Sequence, residues 1–159
     1  MNPVIRKAVR EDIPDLLKLI RELAIYEKSE HEVSNTPEMM LRDGFGENPV
    51  FGSYVAEVEG LIVGIAIYYY RYSTWKGKRL YLEDIIVTES YRGKGIGKLL
   101  FEKVMIIVVD ENCTGMTWQV LDWNESAIGF YKGFGARFDG DWINCHLEAG
   151  QIIELISRS

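Results

Sequence analysis

The sequence predicts an α/β fold, an α+β mixed sheet with helices on its faces, and three observations carry that reading. Short runs that alternate polar and apolar residues, or stay apolar, are interleaved with segments of helical spacing. Two of the strand runs meet at Glu59-Gly60, a pair suited to a tight hairpin turn. A further run, Leu80–Val87, leads through a short loop into Gly93-Lys94-Gly95-Ile96-Gly97 and directly into a helix. At 159 residues the chain suits one domain with a single substantial core, and we read 1–159 as that domain.

Taken in order, residues 3–9 alternate enough for a first strand. Asp12 is placed to cap the following helix, with Pro14 in its first turn and Ile13, Leu16, Leu17, Ile20 and Ala24 on one face. Thr36-Pro37 starts a second helix, which Gly44 ends. Tyr54–Glu59 and Leu61–Tyr70 form the hairpin, and Tyr68, Tyr69, Tyr70, Tyr72 and Trp75 crowd rings at its end. Such rings pack cores and edges, and they also suit the alkyl and ammonium parts of an amine. After the glycine turn, Ile96, Leu99, Leu100, Val104, Ile107 and Val108 mark an amphipathic helix. Met116–Leu121 reads as a strand. Asn124 caps a short helix over 125–132, which Gly133 and Gly135 stop. Trp142–Leu147 and Ile152–Ile156 read as a closing hairpin, which gives the order βααβββαβαββ.

Composition narrows the function classes. Hydrophobic residues at 47% and charged residues at 26% predict an ordinary soluble chain, with neither a membrane span nor a leader. We expect it in the cytoplasm. Cys113, Cys145, His31 and His146 stand alone, without metal-ligand spacing, so no metal is expected. A net charge of −6 speaks against nucleic-acid binding and suits a cationic substrate.

The glycine turn is the chemical centre. A helix N-terminus exposes unpaired N–H groups and the positive end of the dipole, and glycine lets a phosphate come close. Two nucleotide motifs fail here. G-x-G-x-x-G would need glycine where Lys98 stands, and G-x-x-x-x-G-K-[ST] would need glycine at Arg92 and Ser or Thr at Leu99. The strand just upstream carries Glu83 and Asp84, a possible base beside the anion cradle. Strand alternation predicts that these two acids face opposite ways and cannot share one site.

Arg92-Gly93-x-Gly95-Ile96-Gly97 after a strand and before a helix resembles the pyrophosphate-binding motif of the GNAT acetyltransferase superfamily. The element order matches that fold, and Trp123-Asn124-Glu125 followed by Phe130-Tyr131 and Gly135-Ala136 extends the likeness. Ile5-Arg6, Glu22-Leu23-Ala24-x-Tyr26-Glu27, Asp43-Gly44-Phe45-Gly46 and Tyr81-Leu82-Glu83-Asp84 resemble the diamine acetyltransferase branch. That branch includes spermidine/spermine and thialysine enzymes. Its polyamine-preferring members carry an acid in the turn before Trp-x-Gly. Here that turn is Tyr72-Ser73-Thr74-Trp75-Lys76-Gly77, which looks like the thialysine type.

The resemblance implies acetyl-CoA as cofactor, a small cationic amine as substrate and a homodimer. For the cofactor it implies the backbone of Ile85, Ile86 and Val87, the turn Arg92, Gly93, Lys94, Gly95, Ile96, Gly97 and Lys98, and Asn124, Glu125, Ser126 and Ala127. For the amine it implies Tyr26, Glu27, Glu83, Thr117, Trp118 and Gln119. An alkylammonium must lose a proton before it attacks, since its pKa is about 10, and Glu83 is the base to do this. Tyr131 is the acid for the departing thiolate, and attack is direct, in a ternary complex. Plainer readings stand beside these. Glu83 could pair with Lys78 or Arg79, Tyr131 could be a core ring, and Tyr26 and Glu27 could be surface residues. Two rivals use the same residues: a protein lysine or N-terminal acetyltransferase, and a non-catalytic acyl-CoA-binding module.

Overall fold

The computed structural model describes residues 1–158. It divides into two compact units, Met1–Leu121 and Asp122–Ser159, with Ser159 outside the described residues. The first unit is a five-stranded sheet in the order β1-β2-β3-β4-β5: β1 Val4–Lys7, β2 Gly52–Val58, β3 Leu61–Ser73, β4 Gly77–Val87 and β5 Met116–Trp118. Neighbours run antiparallel except β4 and β5, which are parallel. Three helices belong to this unit: α1 Ile13–Tyr26, α2 Pro37–Phe45 and α3 Ile96–Asp110.

One face of the sheet is closed by α1 and α2. Leu16, Leu17 and Leu19 of α1 and Met40 of α2 form a core with Val55, Ile65, Ile67 and Ile86. The other face receives α3, whose Ile96, Leu100, Phe101, Val104 and Ile107 are buried. Gly64 permits that approach, because a Cβ there would stand 3.0 Å from a Leu100 methyl. Each fully buried aliphatic side chain in these layers contributes about 1.5–3 kcal/mol over an exposed one.

The turns follow the residues. Thr36 caps α2 by accepting the Met39 N–H at 3.1 Å. Glu59 and Gly60 both take positive φ, 49° and 81°, as a tight two-residue hairpin requires. Asp12 departs from expectation. It makes no cap bond to α1. Its buried carboxylate instead accepts from Arg6 at 2.8 and 3.0 Å and from the Val9 N–H at 2.8 Å. The guanidinium holds that carboxyl below its ordinary range.

The second unit contains α4 Glu125–Lys132 and α5 Ala149–Ser157. Asn124 caps α4 by accepting the Ala127 N–H at 3.2 Å. The expected closing hairpin is absent among the described residues: 142–147 form no strand, and 152–156 lie within α5. Ile152, Ile153, Leu155 and Ile156 recur at helical spacing, and the Glu148 N–H donates to the Gln151 side chain at 2.9 Å, which starts a helix. Among the described residues, no helix is long and apolar enough to cross a membrane.

Candidate active site

The site is built around the place where β4 loses a neighbour. β5 pairs only with Leu80, Tyr81 and Leu82, so from Glu83 to Val87 no strand among the described residues covers that edge of β4. Ile85, Ile86 and Val87, expected to meet an extended cofactor arm, lie on this uncovered stretch, while their other side is paired to β3. An uncovered edge of this kind offers N–H and C=O groups to an extended ligand.

A bulge coincides with this change. Leu82 pairs with Tyr68 and Asp84 with Ile67, which are neighbours on β3, so Glu83 is an extra residue without a partner. Tyr69 lies two residues from Ile67, on the same face of β3, and its hydroxyl donates to Glu83 Oε2 at 3.3 Å. Glu83 and Asp84 therefore share the face covered by α1. This corrects the alternation argument, which placed them on opposite faces. The extra residue breaks the period of two.

Glu27, just beyond the C-terminus of α1, completes a group of three acids. Its carboxyl is pushed up by burial. The half-buried Asp84 is pushed up to about 7, by burial first and then by the charges of Glu83 and Glu27. Tyr69 is pushed up to about 12, mainly by burial and also by Glu83, and so keeps its proton to donate. Among the described residues none of the three acids has an ion-pair partner. The plain reading of Glu83 fails, because Lys78 pairs with Glu111 at 3.8 Å and Arg79 donates to Thr117 Oγ1 and the Met116 carbonyl. The rings of Tyr69 and Tyr81, 5.2 Å apart, and Arg71 over Tyr81 complete this side.

The glycine turn lies one short turn beyond β4. Gly93 and Gly95 have φ of 75° and 83°, with nothing within 4 Å of where a Cβ would stand. Gly95 is the N-cap of α3, without a side-chain cap and without an acid in the first turn. The N–H groups of that turn are thus left for an anion, and Lys94 and Lys98 are exposed beside it. This geometry fits a pyrophosphate. Arg92 is engaged elsewhere, donating from Nε to the Val87 carbonyl at 2.8 Å.

The remaining expected residues separate into groups. Thr117 accepts from Arg79, the Trp118 ring packs edge-on against Phe101 at 5.3 Å, and Gln119 is exposed beyond the end of β5. Tyr26 is exposed, with the Arg92 guanidinium 5.4 Å from its ring centre. In the second unit Asn124 and Tyr131 are buried, Glu125 and Ser126 are exposed on α4, and the Tyr131 ring meets Phe130 edge-on at 5.5 Å. Sequence reasoning missed Asp84 as a neighbour of Glu83, and it missed Tyr69 as the donor to Glu83. Two consecutive acids inside an apolar strand were the available hint of a bulge. Nothing local distinguishes Tyr69 among five aromatics.

A sequence model of the acetyltransferase (GNAT) family matches residues 13–136. The thialysine N-epsilon-acetyltransferase of Mus musculus is 40% identical, across 97% of this chain and 97% of that protein. The spermidine/spermine N(1)-acetyltransferase-like protein 1 of Homo sapiens is 41% identical across 83% of this chain but only 20% of that longer protein. An integron cassette protein from the mobile metagenome of V. cholerae shares the fold, with a TM-score of 0.77 at 24% identity over 98% of each chain.

Proposed function

This chain belongs to the acetyltransferase (GNAT) family, and we propose that, as one catalytic domain, it acetylates the primary amine of a small cationic substrate. Acetyl-CoA supplies the acetyl group as an activated thioester. The observation that carries this reading is the trio Glu27, Glu83 and Asp84: Glu83 and Asp84 share one face, Glu27 is near enough to raise Asp84, and none has a cationic partner among the described residues. An ammonium group placed there would offset their mutual repulsion and their burial.

Glu83 takes the ammonium proton, directly or through one water, and Tyr69 steadies its carboxylate. Asp84, about half protonated near pH 7, anchors the amine by hydrogen bonding. The N–H groups of Gly93 to Lys98 take the pyrophosphate, and the uncovered edge at Ile85–Val87 aligns the pantetheine arm. Tyr131 holds a proton at Oη for the leaving sulfur. A thialysine- or lysine-like amine fits better than a polyamine. Ser73 carries no charge, and its hydroxyl is spent accepting the Lys76 N–H at 3.1 Å. A cytoplasmic homodimer completes the proposal and rests on kinship alone.

Release of free CoA thiol from acetyl-CoA tests it, across thialysine, lysine, ornithine, putrescine, spermidine, spermine and a lysine-containing peptide. Turnover of lysine-like amines is expected, with kcat/KM lowered about 100-fold in Tyr131→Phe. Strong turnover of spermine would overturn the reading of Ser73. Turnover of the peptide alone would make the chain a protein acetyltransferase, and cofactor binding without any turnover would make it a binding module.

A further inference from the structure

Glu22 belongs to neither the acid trio nor the glycine turn, yet it touches the segment between them. It sits one turn before the end of α1. Both of its carboxylate oxygens accept from the Thr88 hydroxyl, at 3.1 and 2.9 Å, and one also accepts the Glu89 N–H at 3.0 Å. The same oxygen stands 3.6 Å from Arg92 Nη2. Thr88 and Arg92 bracket the short turn that joins β4 to Gly93. That turn is tied back to the sheet at both ends, through Thr88 N–H to the Val63 carbonyl at 2.8 Å and Arg92 Nε to the Val87 carbonyl. Tyr26, one helical turn beyond Glu22, lies under the Arg92 guanidinium.

We propose that Glu22 is a positioning residue whose carboxylate fastens the last turn of α1 to the Thr88–Arg92 turn. The glycine turn that receives pyrophosphate and the α1 end that receives the amine are thereby held as one unit. The proposal rests on the functional reading above. It assigns Arg92 the part of a strut, since its Nε and Nη2 are both turned inward. A helix end fixed only by apolar packing can slide or rotate slightly. A carboxylate held by the Thr88 hydroxyl and the Glu89 N–H, with the Arg92 guanidinium nearby, removes that freedom, because charge-assisted bonds are both stronger and more directional.

Calorimetry of CoA binding to the full chain, with steady-state kinetics beside it, decides the matter. Glu22→Gln keeps the shape but turns one acceptor into a donor facing Thr88 and Arg92. It should weaken CoA binding about tenfold. KM should rise for both acetyl-CoA and amine, with kcat at saturation staying within about twofold, since no reacting atom is touched. Thr88→Val, a milder change that leaves the helix intact, should weaken CoA several-fold, and the double variant should be little worse than Glu22→Gln alone. CoA binding within twofold of the parent, effects that multiply in the double variant, or a fall in kcat at constant KM would each overturn the proposal. If the parent turns over no amine but loses CoA affinity on Glu22→Gln, the functional reading falls and the strut stands.

Discussion

The two halves of β4 differ more than their sequence suggests. From Leu80 to Leu82 the strand lies between β3 and β5, and all three residues are buried. From Glu83 to Val87 it has β3 on one side only, begins with a bulge, and places two acids on one face. There the strand is closed on both edges, and the cations before it are engaged, Lys78 with Glu111 and Arg79 with Thr117 and the Met116 carbonyl. The second half keeps its core contacts through Ile86 and Val87 while leaving an edge open and two carboxyls without an ion-pair partner among the described residues. A single strand thus holds the sheet together at one end and offers chemistry at the other. The switch occurs at one residue.

Leu80→Ala, at a fully buried position, should cost about 2–5 kcal/mol in denaturant unfolding while leaving turnover per folded molecule near that of the parent. Glu83→Gln should do the reverse, lowering kcat/KM about 100-fold in the thiol-release assay with little change in melting temperature. If Glu83→Gln instead lowered stability and spared turnover, the second half would be structural like the first.

A third effect concerns protons. Asp84 titrates at about 7 in the folded chain against 3.8 for an ordinary aspartate, so between those values the folded state holds a proton that the unfolded chain releases. Stability should therefore fall as pH rises from about 4 to about 7, at most by about 1.4 kcal/mol per pH unit and by less where water reaches the group. Asp84→Asn should flatten that decline. A parent whose melting temperature does not fall over this range would show that Asp84 is charged throughout.

Much of this arrangement could be read from the residues. Thr36-Pro37, Glu59-Gly60, the glycine turn and Asn124 each hold the position predicted, because each residue type answers a local backbone need. The bulge could not be read that way. It depends on which residue of β3 stands opposite, and pairing across a sheet is not written in either strand alone. Asp12 was misread for a similar reason: its cap position is real, but Arg6 on the neighbouring strand supplies a stronger partner. The closing hairpin failed because isoleucines at 152, 153 and 156 favour strands by type while their spacing favours a helix. The Glu22 network joins residues 66 and 67 positions apart, beyond the reach of any local pattern.

The bulge has a consequence for how such a strand can change over generations. Leu82 and Asp84 already face adjacent residues of β3. If Glu83 were simply removed, the ladder would close over the gap, with Leu82 and Asp84 on alternate faces and every core contact in place. Folding therefore has no use for Glu83. The proposed base is an insertion carried by an otherwise regular sheet, open to gain or loss in a single genetic event without disturbing the hydrophobic layers around it.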